Sequence, residues 1–170
     1  MEEVVLVDEL DQVIGTSEKL EAHKTGQLHR AFSVFIFNHK GEMLLQKRAL
    51  DKYHSGGLWT NACCSHPRPN EETILAATRR LHEELAMSTD LQFLFTFQYK
   101  AGFENGLIEH ELDHVFVGTT DILPGLNPAE AMDYKYVSTD ELLRDVQSQP
   151  DHYTYWFKEI VEKVISKYKS

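Results

Sequence analysis

The sequence predicts an α+β fold, because several strands and a few helices follow one another without regular alternation. A run of apolar and β-favouring residues at 31–37 predicts a buried strand. Apolar residues at helical spacing predict amphipathic helices over 71–85 and 153–168. No repeat, low-complexity run or Pro/Gly-rich linker divides the chain, so we expect one domain over residues 1–170.

The N-terminal third predicts a hairpin, a short helix and a second pair of strands. Residues 4–7 and 12–16 flank a polar turn, and Ser17 is a candidate N-cap for a helix through Ala22. The strand at 31–37 is followed by a turn and by a strand over 42–47.

The remaining elements are predicted in the same way. Asn70 is a candidate cap for the helix over 71–85, whose apolar positions are Ile74, Thr78, Leu81 and Leu85 and whose polar side carries Arg80 and Glu84. Residues 91–99 and 107–120 predict paired strands. Ser138 can cap a helix to about residue 147, and the terminal helix should pack through Trp156, Ile160 and Val164.

Composition excludes several classes of protein. A net charge of −10 argues against a nucleic-acid partner, because such partners are bound by basic surfaces. No apolar stretch is long enough to span a bilayer, and the N-terminus lacks a signal-peptide pattern, so we expect a cytoplasmic protein without a membrane partner. The two cysteines, Cys63 and Cys64, are adjacent, which disfavours a disulfide between them.

Polar residues recur at a spacing of two inside segments that otherwise look buried. Cys64 and His66 have this spacing, as do Glu109 and Glu111. Residues i and i+2 of a strand face the same side, so two carboxylates would repel each other unless a cation lies between them. The alternatives are a solvated strand face for the glutamates and a small buried apolar residue for Cys64.

A metal ion is the simplest such cation. Imidazole and carboxylate ligands suit a divalent ion, and His23 and His29 could complete its shell from the N-terminal segment. Composition does not distinguish Mg²⁺, Mn²⁺ and Zn²⁺.

Glu71 and the segment 79–85 (RRLHEEL) together resemble the Nudix signature, in which a loop, a helix and a second loop hold Mg²⁺ against a diphosphate. Three positions depart from it: Ser65 replaces the first Gly, Arg80 replaces a Glu, and Ala86 replaces the last Gly. Loss of that carboxylate weakens a hydrolytic metal site, and the added cation favours holding a diphosphate intact. The alternative is a charged, solvated helix face.

Further motifs, in the same order and over nearly the full length, resemble type I isopentenyl diphosphate isomerase. They are Ala22-His23, Leu28-His29, Ala31-Phe32-Ser33, Arg48-Ala49-Leu50, Trp59-Thr60-Asn61, Cys64 with His66-Pro67, Tyr99 with Ala101, Glu109 with Glu111, and Met132-Asp133-Tyr134.

The resemblance implies a Nudix-like mixed β-sheet sandwiched by helices, with an N-terminal strand and helix extension. It also implies that one divalent ion, Mg²⁺ or Mn²⁺ with Zn²⁺ as an option, is held by His23, His29, His66, Glu109 and Glu111. Cys64 and Glu111 would be the acid/base pair, with Tyr99 beside Glu111. A second Mg²⁺ would use Glu84 and the backbone of Cys64.

The implied substrate is an isoprenyl diphosphate, whose double bond moves by protonation and deprotonation through a tertiary carbocation. Cys64 could act as a base in its thiolate form, and the sequence does not say whether Cys64 or Glu111 gives the first proton. Trp156 would stabilise the cation through its π face, or would serve only as a core anchor. The implied diphosphate-binding cations are Lys19, Arg48, Lys52 and Arg80.

Two other functions remain open from the sequence. A Nudix diphosphate hydrolase is disfavoured by Arg80 and does not explain the set formed by Cys64, His66, Glu109 and Glu111. A noncatalytic metal- or nucleotide-binding module is the other alternative. We expect a monomer or a weak homodimer.

Overall fold

The structure is a computed structural model that describes residues 2–52 and 54–169. In chain order its elements are β1 (Glu3–Val7), β2 (Val13–Glu18), α1 (Lys19–Thr25), β3 (His29–Phe37), β4 (Met43–Arg48), β5 (Trp59–Thr60), β6 (Cys63–Ser65), α2 (Thr73–Leu85), β7 (Gln92–Gly102), β8 (Ile108–Thr119), β9 (Ala131–Val137), α3 (Thr139–Ser148), a 3₁₀ turn (Pro150–His152) and α4 (Tyr155–Lys169).

The strands form one mixed sheet centred on β3. This strand runs parallel to β8 and antiparallel to β1, β4 and β6. β4 also pairs with β5 and β9, and β7 forms a long antiparallel pair with β8. Non-local pairing of this kind confirms the predicted α+β class.

Helices cover both faces of the sheet because β3 is apolar on both sides. Phe35 and Phe37 pack into a cluster with α3 and α4. Phe32, Val34 and Ile36 point the other way and pack against α2. Successive side chains of a strand alternate between faces, so an uninterrupted apolar run requires cover on both.

The N-terminal segment forms the predicted hairpin and helix with two corrections. Ser17 lies inside β2 and does not cap α1, whose N-cap position is Glu18 without a side-chain cap bond. The helix also extends beyond Ala22 to Thr25, where Gly26 ends it in a left-handed conformation with φ 73°.

Helix α2 begins later than the sequence predicted, and Asn70 is not its cap. Asn70 has φ 67°, and Glu71 N bonds to Arg68 O in a turn that comes before the helix. The predicted apolar positions Ile74 and Thr78 are exposed. The buried face consists of Ala76, Ala77, Leu81, Glu84 and Leu85.

The C-terminal half follows the prediction more closely. Ser138 Oγ accepts a hydrogen bond from Glu141 N and caps α3 as expected. Trp156, Ile160 and Val164 are buried on α4. Strand β9 was not predicted. Among the described residues, no helix is long and apolar enough to cross a membrane.

Candidate active site

Strand register brings the candidate residues to one end of the sheet. His29 on β3 lies opposite Glu111 on β8, and Tyr99 on β7 lies opposite Glu111 from the other side. Cys64 on β6 lies opposite Ser33. Ser33 is four positions after His29 on β3, so both side chains face the same side of the sheet. Side chains that share a face at this spacing converge.

Three histidines surround the Glu111 carboxylate. His66 Nε2 lies 2.7 Å and His29 Nε2 lies 3.3 Å from Glu111 Oε2. The rings of His23 and His29 are 5.1 Å apart between centroids. His23, His29, His66 and Glu111 each offer one possible ligand atom, and these four atoms all lie within 4.8 Å of one another. All four residues are buried. A single divalent ion fits such a set.

The outer hydrogen bonds of two histidines favour metal binding. His23 Nδ1 lies 2.7 Å from Lys19 O, and His29 Nδ1 lies 2.9 Å from Gln27 O. A carbonyl only accepts, so each Nδ1 carries a hydrogen, and a metal ion would be bound through Nε2. This arrangement is common in metal-binding histidines, and it shows that the residues present fit a divalent ion.

Glu109, the fifth predicted ligand, lies beside a histidine that the sequence did not single out. His54 Nε2 is 3.0 Å from Glu109 Oε2, and His23 Nε2 is 3.8 Å from the same oxygen. His23, His54 and Glu109 form a second candidate set of ligands that shares His23 with the first. His54 lies in a glycine-containing loop without periodicity, which explains why no pattern identified it.

Hydrogen bonds keep the two carboxylates ionised despite their burial. Burial alone would raise the pKa of Glu111, but hydrogen bonding with the His29 and His66 rings lowers that pKa well below its usual range. Burial and the nearby Glu109 and Glu111 charges raise the pKa of the Tyr99 hydroxyl. Tyr99 Oη therefore keeps its proton and donates to Glu111 Oε1 at 2.5 Å.

The adjacent cysteines face opposite sides of β6. Cys63 is fully buried against α2, and its Sγ lies 3.3 Å from Glu84 Oε2. Cys64 lines the same pocket as Tyr99 and Glu111. Its Sγ lies 3.1 Å from Asn61 Oδ1 and 3.5 Å from Ser33 Oγ.

The contacts of Cys64 favour the neutral thiol, whose Sγ–H donates to Asn61 Oδ1 at 3.1 Å. Burial and the charge of the buried Asp113 raise its pKa far above the ordinary thiol value. The sequence led us to expect a thiolate, but that form is disfavoured where the sulfur is desolvated beside a carboxyl group. Asp113 continues the alternation of Glu109 and Glu111 along β8, and it accepts a 2.6 Å hydrogen bond from Ser33.

Four cations line the same pocket. The pocket lining includes all four predicted cations, Lys19, Arg48, Lys52 and Arg80. Three of them contact carboxylates: Lys19 pairs with Glu2 at 3.3 Å, Lys52 with Glu130 at 2.7 Å, and Arg80 with Glu83, Glu84 and Glu130.

Glu84 turns inward, although the sequence placed it on the polar side of its helix. Only 4% of the residue is exposed. Gln46 donates to one carboxylate oxygen at 3.1 Å, and Arg80 donates to the other at 3.0 Å. Burial raises the pKa of Glu84, while the Arg80 charge opposes this shift. The carboxylate is thereby fixed among Gln46, Arg80 and Cys63.

Comparison with known proteins gives the family. Residues 27–157 match the NUDIX domain family. The chain is 51% identical to isopentenyl-diphosphate Delta-isomerase 2 of Aromatoleum aromaticum, over 97% of this chain and 87% of that protein. It is 53% identical to isopentenyl-diphosphate Delta-isomerase of Pectobacterium atrosepticum, over 92% and 87%. The chain belongs to the type I isopentenyl-diphosphate Delta-isomerase family of the NUDIX superfamily.

A solved structure supports the fold of this family member independently. The crystal structure of DR0079 from Deinococcus radiodurans superposes with a TM-score of 0.80, covering 95% of this chain and 98% of that protein at 18% identity. The Nudix-like sheet expected from the sequence is therefore confirmed.

Proposed function

We propose that this chain interconverts isopentenyl diphosphate and dimethylallyl diphosphate. It does not catalyse the alternative reaction, diphosphate hydrolysis. The observation that carries the proposal is one pocket shared by two proton-transfer groups and four cations. Cys64, Tyr99 and Glu111 line this pocket together with the four cations and the Trp156 ring. A diphosphate ester with a short hydrocarbon chain matches this combination of cations, aromatic ring and proton-transfer groups.

Isomerisation needs one group that gives a proton and one that takes a proton from another carbon. A neutral Cys64 and an ionised Glu111 hold one transferable proton between them, which satisfies this requirement. Since the reaction is reversible, the donor in one direction is the acceptor in the other. Burial of both groups keeps water away from the carbocation, which water would otherwise trap.

Each remaining residue has a role derived from its contacts. Tyr99 holds the Glu111 carboxylate through its hydroxyl. Trp156 presents an aromatic ring to the pocket, and a ring face stabilises a desolvated cation by about 2 kcal/mol. Lys19, Arg48, Lys52 and Arg80 bind the diphosphate through charge-assisted hydrogen bonds.

We further propose the metal ligands. His23, His29, His66, Glu109 and Glu111 would hold one divalent ion, Mg²⁺ or Mn²⁺ with Zn²⁺ as an option, and Glu84 with the Cys64 backbone would hold a Mg²⁺ beside the diphosphate. When bound, these ions supply positive charge that offsets the carboxylates and the diphosphate. We place the enzyme in the cytoplasm as a monomer or weak homodimer, in keeping with its acidic composition.

Arg80 is the feature that argues against hydrolysis. Its guanidinium bonds to Glu84 Oε2 at 3.0 Å and to Glu83 Oε1 at 2.9 Å. It thus places positive charge beside the carboxylate that a hydrolytic centre needs for additional metal ions.

One assay tests the proposal. The protein is incubated with isopentenyl diphosphate and Mg²⁺, and the products are followed by NMR and by phosphate release. We expect double-bond migration without phosphate. Phosphate release would instead establish the hydrolase, and the absence of both would leave a binding module. A Cys64→Ala variant prepared in parallel controls for contaminating isomerase.

A further inference from the structure

The pocket holds a carboxylate where an anionic substrate has to bind. Glu130 Oε2 lies 2.7 Å from Lys52 Nζ, and Glu130 Oε1 lies 3.2 Å from Arg80 Nη2. One side chain thus bridges two of the four cations that we assign to the diphosphate. All three side chains are about one-fifth exposed.

The backbone around Glu130 fixes this position. Asn127 N donates to Glu84 O at 3.0 Å, and Asn127 Nδ2 donates to Glu83 O at 3.3 Å, which attaches the turn to the end of α2. Glu130 N bonds to Asn127 O at 2.9 Å, and Glu130 O accepts from Ala49 N at 3.0 Å. The bridge between the cations is therefore part of the fold and does not depend on a mobile side chain alone.

Glu130 carries a full negative charge in this position. Burial would raise its pKa, but the hydrogen bond from Lys52 and the charges of Lys52 and Arg80 lower the pKa below the ordinary value. Charge-assisted hydrogen bonds of this kind are the strong ones in proteins. An incoming diphosphate has to compete with them.

The charge balance of the whole pocket points the same way. Among the described residues, its lining contains the cations Lys19, Arg48, Lys52 and Arg80 and the carboxylates Glu2, Glu84, Glu109, Glu111 and Glu130. Carboxylates outnumber lysines and arginines by one, so these side chains together offer no excess positive charge to a bare diphosphate anion. A divalent ion that arrives with the diphosphate reverses this balance.

We propose that Glu130 is an internal counter-ion of the diphosphate subsite and sets its specificity. It keeps Lys52 and Arg80 paired while the pocket is empty, and the diphosphate oxygens replace it when substrate enters. Its charge makes the pocket discriminate against diphosphate that is not complexed with a metal ion. The inference rests on the proposed function for the identity of the ligand, but its test needs no isomerisation.

The test is binding of inorganic pyrophosphate, measured by calorimetry in the presence of excess chelator and repeated with Mg²⁺. Glu130→Gln keeps the shape and the backbone bonds and removes the charge. We expect it to bind metal-free pyrophosphate roughly tenfold more tightly than the wild type, because a like charge near the ligand is removed. With Mg²⁺ we expect a smaller difference in pyrophosphate affinity between Glu130→Gln and the wild type.

Three controls separate this effect from others. Glu162→Gln removes one charge from an exposed position of α4 and should leave binding unchanged. Glu130→Asp keeps the charge and should retain the wild-type preference for pyrophosphate that is complexed with Mg²⁺. In Lys52→Met the tightening caused by Glu130→Gln should be smaller, because only Arg80 is then left to be released from Glu130.

Weaker or unchanged binding of metal-free pyrophosphate by Glu130→Gln overturns the proposal, as does binding by neither protein. If the wild type fails to isomerise isopentenyl diphosphate while the variant still binds metal-free pyrophosphate more tightly, the proposed function fails and the counter-ion stands. If the wild type isomerises the substrate while the variant binds metal-free pyrophosphate no more tightly, the proposed function stands and the counter-ion fails.

Discussion

Trp156 donates its indole N–H to the sulfur of Cys64, with Nε1 and Sγ 3.1 Å apart. The same ring is 3% exposed and packs in the cluster that joins α4 to the sheet. The Arg48 guanidinium lies 5.2 Å from its centroid. The ring therefore lines the pocket and also anchors the core, and stabilisation of a cation by its π face stays a prediction.

Replacing Trp156 should separate these contributions. Trp156→Phe keeps a ring but removes the N–H, and we expect kcat to fall about threefold to tenfold, the effect of one hydrogen bond. Trp156→Leu also removes the π face, and we expect roughly a further thirtyfold fall in kcat, with a smaller rise in KM. Steady-state kinetics and thermal unfolding of both variants are the measurements.

Phe157→Leu is the matched control for Trp156. Phe157 is fully buried on the same helix and stacks on Phe35. This variant should lower Tm with little change in kcat. If Trp156→Leu behaves in the same way, the indole contributes only to the core.

The two cysteines should differ sharply. We expect Cys64→Ala to lower kcat by about 10²- to 10⁴-fold, the range for loss of a proton-transfer group, with metal content and fold intact. Cys63→Ala should keep most activity and cost about 1 kcal/mol of unfolding free energy, because it leaves a small cavity beside α2. Alkylation followed by peptide mass analysis should show substrate protecting Cys64. A protected and essential Cys63 would show that both assignments are wrong.

Removal of metal should affect stability as well as activity. The Glu109 and Glu111 carboxylates are buried together, so a divalent ion bound between them and the histidines stabilises the folded state. We expect prolonged dialysis against a strong chelator to abolish isomerisation and to lower Tm, and we expect added Mn²⁺ or Mg²⁺ to restore both. Metal analysis of the dialysed protein checks that removal is complete. Full activity in metal-free protein would contradict the ligand assignment.

Much of the fold could be predicted because it follows local patterns. The run at 31–37 predicts the central strand, and Ser138 with the apolar spacing that follows predicts α3. The errors lie where tertiary contacts override local preference. Asn70 resembles a cap but adopts a left-handed turn conformation. Strand β9 depends on pairing with β4, which is distant in sequence.

The sequence singled out those candidate site residues that lie on a strand at regular spacing. Glu109 and Glu111 were singled out through their spacing of two residues. Asp113 extends that spacing by one step and was missed because the pattern was not followed beyond Glu111. His54 and Glu130 lie in loops, where no period relates one residue to the next. The inward direction of Glu84 depends on its partners Arg80, on the same helix, and Gln46, which lies on β4 and is distant in sequence.

Acid should destabilise the metal-free protein through His66. Burial lowers the pKa of His66 from 6.5 to about 4, although hydrogen bonding and charge from Glu111 oppose the shift. The unfolded chain takes up a proton below pH 6.5, whereas the folded protein takes it up only near pH 4. The unprotonated His66 therefore contributes on the order of 3 kcal/mol to the free energy of unfolding. This contribution is complete above pH 6.5 and is lost as the pH falls towards 4.

The His66 contribution can be isolated with His66→Asn, which does not titrate. Chemical denaturation of both metal-free proteins between pH 4 and pH 7 gives the difference in unfolding free energy. We expect the advantage of the wild type over the variant to decrease as the pH falls. A constant difference would mean that His66 is not held neutral by burial.

Arg80 and its neighbour Arg79 provide a paired test of the diphosphate subsite. Arg79 bonds to Glu71 and Glu83 outside the pocket, whereas Arg80 lines the pocket and contacts Glu84 and Glu130. Arg80→Gln removes a charge-assisted contact to the diphosphate, and we expect KM for isopentenyl diphosphate to rise about tenfold. This increase is smaller than for a fully buried contact, because the Arg80 side chain is one-fifth exposed and solvent weakens its interaction.

Arg79→Gln removes the same charge one residue away and should leave KM unchanged, although it should lower Tm slightly through loss of the Glu71 pair. Steady-state kinetics with isopentenyl diphosphate and calorimetry with magnesium pyrophosphate measure the two effects independently. Because the variants have the same net charge, a general electrostatic effect would raise KM equally in both. Equal binding by Arg80→Gln and the wild type would show that Arg80 only neutralises Glu84 and Glu130 and does not contact the diphosphate.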